Sequence, residues 1–77
     1  MKLTVRWDPA ALYAFHRLPI HSATLVDRTV LRFAQSGEGY LEWVAPYYRL
    51  RAGFFDLILV LDIAARSVTV LRIYRSR

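Results

Sequence analysis

The aliphatic stretch Leu57–Leu61 constrains the fold of this chain more than any other feature. It is the longest aliphatic run in the 77 residues, and it lies between Asp56 and Asp62. A membrane-spanning helix needs roughly 20 apolar residues, so this run is far too short to cross a bilayer. Short apolar runs between turn signals are typical of buried central strands. The sequence therefore predicts a small domain, without a membrane partner, built around a strand over residues 54–63.

Both faces of this predicted strand carry apolar side chains. Strict alternation directs one set toward the rest of the core: Phe55, Leu57, Leu59, Leu61 and Ile63. The opposite face then carries Phe54, Ile58 and Val60 together with two aspartates. A sheet with one solvent face usually has polar residues there. Either the sheet curls over this face, or another chain packs on it.

The first half of the chain predicts one strand followed by two helices. Residues 2–7 alternate between polar and apolar side chains, as a half-buried strand does. Asp8 and Pro9 predict a helix start, with Asp8 as the N-cap and Pro9 at the first helical position. Pro19 is expected to end this helix, and a second one is predicted from about Ser22 to Gln35. The short connection between them predicts a helical hairpin. The side chains expected to line its inner side are Leu12, Phe15, Leu18, Leu25, Val26, Thr29, Val30 and Phe33.

After the helix stop at residues 36–39 (SGEG), the apolar period changes to two. The pattern predicts strands over residues 47–52, 54–63 and 67–75, joined by short connections into an antiparallel meander. The resulting order is β-α-α-β-β-β over a single domain, residues 1–77. The predicted class is α+β, with the helical hairpin packed on one face of a small antiparallel sheet.

Alternation along these strands also places the charged side chains. Arg49 and Arg51 share one face of their strand with Tyr47. On the last strand, strict alternation puts Arg72 in phase with Val68 and Val70. Arg72 then either joins the other arginines or lies at an edge with its charge in solvent.

The charge of the chain is positive and unevenly distributed. Eleven Lys and Arg against six Asp and Glu give a formal net charge of +5. Residues 1–48 carry five basic and four acidic side chains (+1), and residues 49–77 carry six and two (+4). Ten of the eleven cations are Arg, which suits bidentate contacts with phosphate. This balance predicts a polyanion or an acidic protein as partner; the alternative is a basic face that only keeps the domain soluble.

The residue types exclude several kinds of site. The chain has no Cys, which excludes a disulfide framework and a thiolate zinc site. His16 and His21 are the only two His residues, and they flank Pro19 at a spacing that does not put them on one helix face. We expect no metal and no cofactor. Charged residues at Arg6 and Asp8 interrupt any apolar leader, so the prediction is a cytoplasmic domain.

Four segments together resemble the RelE/ParE superfamily of toxins from bacterial type II toxin–antitoxin systems. The residues that carry the resemblance are Asp8-Pro9-Ala10-Ala11, Leu18-Pro19, Tyr48-Arg49-Leu50-Arg51-Ala52-Gly53-Phe54-Phe55 and Val68-Thr69-Val70-Leu71-Arg72-Ile73. They are similar to the family patterns W-[ST]-P-x-A, L-P, Y-R-[LI]-R-x-G-[DN]-[YF] and V-x-V-L-x-I. The resemblance covers essentially the whole chain, and the family fold has the same order of elements.

The resemblance implies a toxin that a cognate antitoxin holds silent. We expect that antitoxin to be acidic and partly disordered, because it would cover a basic and apolar surface. RelE-type members cleave mRNA on the ribosome, whereas ParE-type members act on DNA gyrase. RelE-like chemistry uses basic side chains that stabilise the scissile phosphate while the ribose 2′-OH attacks. The implied catalytic residues are Arg49, Arg51, Arg72, Tyr74 and Arg75, and the implied nucleic-acid-binding residues are Arg49, Arg51, Arg72 and Tyr47.

Two departures from the family pattern favour an alternative function. Asp56 stands where the family commonly has an Arg, so it either acts as a general base or pairs with Arg49 or Arg51. The family His near the end of the last strand is missing, and an Arg cannot easily take over proton transfer because its pKa stays above about 12. Tyr74 is the nearby group with acid–base chemistry. The alternatives are a ParE-like gyrase inhibitor, a degenerate toxin that only binds protein, or a free-standing RNA-binding domain.

Overall fold

The computed structural model describes residues 2–76, which form one five-stranded sheet with two helices packed on it. The elements in chain order are β1 (Thr4–Trp7), α1 (Pro9–His16), α2 (Ile20–Ser36), β2 (Tyr40–Val44), β3 (Tyr47–Ala52), β4 (Phe55–Asp62) and β5 (Ser67–Arg75). The strand order across the sheet is β1-β5-β4-β3-β2. The predicted α+β class, with two helices packed on the sheet, is confirmed.

The sheet differs from the prediction in two respects. It is mixed rather than antiparallel, because β1 pairs parallel with β5 while the other neighbours pair antiparallel. It also contains one strand more than predicted, since residues 40–44 form β2 beside β3. Short connections specify pairing only between consecutive strands, and β1 is separated from β5 by the rest of the chain. The pairing of β1 with β5 is therefore decided by the tertiary structure and cannot be predicted from local sequence.

Helix α1 begins as predicted. The Asp8 carboxylate accepts a hydrogen bond from the Ala10 backbone N–H at 3.2 Å, and Pro9 is the first helical residue. The helix ends at His16, three residues before Pro19, where the sequence placed its end.

Helix α2 is longer than predicted at its start. Pro19 is its N-cap, so the helix begins at Ile20 rather than at Ser22. A proline suits this position because the first amides of a helix have no intrahelical acceptor. At the other end Gly37 has a φ of 78°, and its N–H donates to the Phe33 carbonyl at 2.8 Å. This left-handed cap confirms the predicted glycine stop.

The core lies between the helices and one face of the sheet. Its fully buried large side chains are Leu50, Leu57, Leu59, Val26, Val30, Val68 and Val70. Three predicted core positions were wrong, since Leu12 is 39% exposed, Leu25 is 42% exposed, and Ile63, which follows the end of β4, is 60% exposed. From α1 the small side chain of Ala11 is buried instead, and the Phe15 ring packs beside it at 5.0 Å from the Trp7 ring.

We call the opposite side of the sheet the open face. The buried residues of both helices cluster with the other face, so neither helix covers the open face. Val60 on this face is 37% exposed, whereas Asp56 is only 5% exposed. No helix among the described residues has both the length and the apolar character needed to cross a membrane.

Candidate nucleic-acid interface on the open face

The candidate site consists of two rows of side chains that run across the strands on the open face. The first row is Glu42, Arg49, Ile58 and Arg72, and the second is Tyr40, Arg51, Asp56 and Tyr74. Cross-strand neighbours on one face of a sheet stand close enough for their side chains to interact. Of the predicted catalytic residues, Arg49, Arg51, Arg72 and Tyr74 are therefore brought together.

A bulge in β5 places Arg72 in the first row. Leu59 pairs with Val70 but Ile58 pairs with Arg72, so Leu71 is an extra residue between two pairs. An extra residue reverses the side-chain phase of the rest of the strand. Strict alternation, which put Arg72 in phase with the buried Val70, was therefore wrong, and Arg72 lies on the open face.

Arg49 is paired with a carboxylate that sequence reasoning missed. One of its guanidinium nitrogens donates to Glu42 Oε1, and this hydrogen bond is the main cause of the raised pKa of Arg49. The Arg49 side chain is 32% exposed and that of Glu42 is 49% exposed. Glu42 could have been found from the alternation of residues 40–44, which predicts a strand once Trp43 is taken as apolar. Arg49 is a permanent cation whose present partner is easily reached by solvent.

Arg51 pairs with Asp56 in a different manner. Its Nε atom lies 3.6 Å from Asp56 Oδ1, and the Asp56 side chain is 6% exposed whereas that of Arg51 is 50% exposed. This carboxylate oxygen accepts no hydrogen bond from any described residue. The Arg51 guanidinium carbon also stands 5.8 Å from the centre of the Tyr40 ring. Of the two roles predicted for Asp56, the structure shows pairing, and the arginine is Arg51.

Two shallow depressions flank Tyr74, which borders both. One is polar, has a volume of about 490 Å³, and includes Arg49, Arg51 and Asp56 in its walls. The other, of about 470 Å³, is lined mostly by apolar groups around Tyr47, with Arg72 at its side. A polar and an apolar depression side by side suit a phosphate and a base respectively.

The remaining predicted residues lie at the margin. Arg75 is in register with Phe55 rather than with a member of either row, and its guanidinium carbon stands 5.8 Å from the Phe55 ring centre, but it also lines the polar depression. Tyr47 is 41% exposed at the start of β3. Arg77, the last of the six arginines in residues 49–77, lies outside the described residues. Among residues 2–76 there is no group of three His, Asp or Glu side chains that could hold a metal ion.

No protein-family profile matches the sequence, and no curated protein matches it. Solved structures do match. The archaeal RelE–RelB complex from Pyrococcus horikoshii is 13% identical with a TM-score of 0.79, and the match covers 97% of this chain and 96% of that chain. The intact Escherichia coli RelBE complex is 15% identical with a TM-score of 0.77, and the match covers 97% of this chain and 98% of that chain. The YoeB dimer from Staphylococcus aureus is 12% identical with a TM-score of 0.76, and the match covers 100% of both chains.

Each of these matches covers at least 96% of this chain and of the chain it is compared with, although few residues are identical. The resemblance read from the sequence motifs is thus confirmed at the level of architecture. The chain has the RelE-type toxin fold.

Proposed function

We propose that this chain is a RelE-like toxin of a type II toxin–antitoxin module, which cleaves mRNA on the ribosome and is neutralised by a cognate antitoxin. The observation that carries the proposal is the convergence of Arg49, Arg51 and Arg72 on the open face of a RelE-type fold. Arginines that converge on one exposed face of a chain with a net charge of +5 form a surface for a polyanion.

In the proposed reaction the ribose 2′-OH attacks the adjacent phosphate. A bond forms between the 2′-oxygen and phosphorus, and the bond to the 5′-oxygen breaks, which leaves a 2′,3′-cyclic phosphate. Negative charge builds on the phosphate oxygens, and the guanidinium groups of Arg49 and Arg72 stabilise it. The 2′-OH loses a proton and the 5′-oxygen gains one, and Tyr74 is the group that borders both depressions and can relay a proton.

The carboxylates of Glu42 and Asp56 give Arg49 and Arg51 different roles. RNA must displace Glu42 to reach Arg49, and the exposure of Glu42 permits this. Asp56 is buried, so displacing Arg51 from it would leave a buried carboxylate without its partner. We therefore propose Arg49, in the wall of the polar depression, as the main phosphate-binding residue, with Arg72 reaching the same phosphate from the neighbouring depression and Arg51 contacting the RNA beside its buried carboxylate. Arg75 and Tyr47 would contact flanking nucleotides from the margin.

The proposed antitoxin is acidic and partly disordered. It would gain from charge complementarity with the net charge of +5 and from covering exposed aromatic side chains, of which Phe54 at 78% and Trp43 at 58% are examples. The RelE proteins from Pyrococcus horikoshii and Escherichia coli were solved in complexes with RelB, which supports a partner of this kind.

A second candidate function is favoured by the two ion pairs. Both Arg49 and Arg51 already have a carboxylate partner, which lowers the net charge that the polar depression offers to RNA. A ParE-like gyrase inhibitor or a degenerate toxin that acts only by binding protein needs no such charge.

Induced expression in a bacterial host distinguishes these functions. The growth curve is recorded while new mRNA 5′ ends are mapped. Growth arrest with new ends inside translated codons supports the mRNA-cleaving toxin. Arrest without such ends favours the gyrase inhibitor, and normal growth with soluble protein favours the degenerate toxin.

Single substitutions then test the named residues. Arg49→Ala and Arg72→Ala should abolish cleavage, whereas Arg28→Ala removes the same charge from an exposed position on α2 and should leave it intact. With a single-stranded RNA oligonucleotide in vitro, each site variant should reduce the slope of log K against log salt by about 0.7. An equal reduction for Arg28→Ala would contradict a localised RNA site.

A further inference from the structure

The sheet has an unpaired edge along the second half of β5. β1 lies beside β5 only over residues 67–70, where the Asp8 N–H also donates to the Val70 carbonyl at 2.9 Å. The chain then turns away into α1, and no other strand among the described residues lies on that side of residues 71–75. We call this segment, five residues and about 17 Å long at the usual rise of a strand, the β5 edge.

The direction of its backbone groups follows from one hydrogen bond. The Ser76 N–H donates to the Phe54 carbonyl at 2.7 Å, so these two residues occupy a hydrogen-bonding position just beyond the paired ends of β4 and β5. In an antiparallel pair such bonding positions recur every second residue, which directs the amide of Tyr74 toward β4 as well. The N–H and C=O groups of Ile73 and Arg75 consequently point to the β5 edge. Unpaired groups of this kind are a template for another strand.

A groove beside the β5 edge leaves room for an additional chain. It has a volume of about 570 Å³ and runs between residues 71–74 and the first turns of α1. Ala10 and Ala14 form its helical wall. They lie one turn apart, and their small side chains allow a backbone to approach closely.

We propose that the β5 edge is the docking site for an extended acidic segment of a partner protein, which adds to the sheet as a sixth strand. Arg72 lies on the open face, and Arg75 is in phase with the opposite face. Carboxylates on either side of an added strand would therefore meet a guanidinium. This inference rests on the proposed function for the identity of the partner as the antitoxin. The pairing itself is tested without any measurement of toxicity.

Two other pairings fit the charges less well. A second copy of this chain would bring its own Arg72 and Arg75 to the β5 edge, and each copy has a net charge of +5. Of the two outer strands of the sheet, β1 offers only four residues with a single charged side chain, Arg6, and β2 carries Glu42 at its centre, which repels an acidic segment. An acidic partner on the β5 edge is the combination that the charges favour.

A synthetic peptide of alternating valine and glutamate, about nine residues long, serves as the probe. It is titrated into the isotopically labelled full chain while amide shifts and hydrogen exchange are recorded. In the free chain we expect the amides of Ile73 and Arg75 to exchange faster than that of Tyr74. Saturating peptide should shift and protect them. A control peptide with lysine in place of glutamate should bind more weakly.

The backbone contribution is isolated by a pair of variants. Arg75→Ala removes the guanidinium, and Arg75→Pro removes the guanidinium and the edge-facing N–H at a strand end where proline is tolerated. Arg75→Pro should bind the peptide about two- to tenfold more weakly than Arg75→Ala, as expected for one lost hydrogen bond. Retained protection of the Tyr74 amide shows that the variant is folded.

Several results would overturn the proposal. These are equal binding by the two variants, shifts at the β2 amides instead, or no shifts at millimolar peptide. A concentration-dependent dimer of the free chain that Arg75→Pro abolishes would make a second copy the occupant. Cleavage of mRNA by a chain that fails this test would leave the proposed function intact, and the two failures are therefore distinguishable.

Discussion

Removing Arg51 should destabilise the protein because it leaves the buried Asp56 carboxylate without its cationic partner. Asp56 is 5% exposed, and the Arg51 Nε atom at 3.6 Å is the nearest cationic group that pairs with it among the described residues. In Arg51→Ala the carboxylate stays desolvated by its neighbours but loses this partner. The expected effect is a lower free energy of unfolding.

The size of the effect follows from the burial of the two partners. Breaking a fully buried ion pair costs about 3–5 kcal/mol. The Arg51 side chain is 50% exposed, and the solvent that reaches it screens the pair, so we expect about 1–3 kcal/mol. A domain of 77 residues has a total stability of about 4–12 kcal/mol, so this loss is easily measured.

Urea denaturation of a double-mutant cycle measures the coupling. Asp56→Asn keeps the shape of the side chain and removes its charge, and we expect this variant to lie within about 1 kcal/mol of the parent. In the Asp56→Asn background, Arg51→Ala should cost less than about 0.5 kcal/mol, because it is then an ordinary surface substitution. If the two substitutions are additive within about 0.5 kcal/mol, the pair does not stabilise the fold and the reasoning is refuted.

Two further predictions concern a turn and the first row of the site. Gly53 has a φ of +63°, and a Cβ there would lie 2.4 Å from Leu25 Cδ2, so Gly53→Ala should lower the free energy of unfolding by about 1–2 kcal/mol. An unchanged urea midpoint would contradict the strain at this turn. Glu42→Gln should tighten binding of a single-stranded RNA oligonucleotide about two- to fivefold by releasing Arg49. Glu38→Gln makes the same charge change outside the rows, and an equal gain there would show a general charge effect instead.

Much of the architecture could be predicted because local rules decide it. Asp8 and Pro9 predicted the start of α1, since a cap and a proline act within a few residues of the helix end. Gly37 predicted the end of α2 for the same reason. Along β3, alternation correctly separated Leu50 from Arg49 and Arg51, because side-chain direction in a regular strand has a fixed period of two.

The errors arose where a distant part of the chain decides the outcome. Leu12 and Leu25 have helical spacing but lie at the margin of the contact with the sheet, which depends on how the helices sit on it. Residues 40–44 became a strand because β3 offers them an edge. The parallel place of β1 beside β5 depends on the path of the whole chain.

The sequence by itself determined which residue types are available for the site and that Arg49 and Arg51 share a face. Only the tertiary structure decided that Arg72 joins them, because the extra residue Leu71 in β5 is visible only against its partner strand β4. The partners of the arginines were decided in the same way. Glu42 and Asp56 lie seven and five residues from Arg49 and Arg51, and only the register of β2, β3 and β4 brings these pairs together. Periodicity thus fixes the direction of a side chain within one strand, whereas register between strands fixes its neighbours.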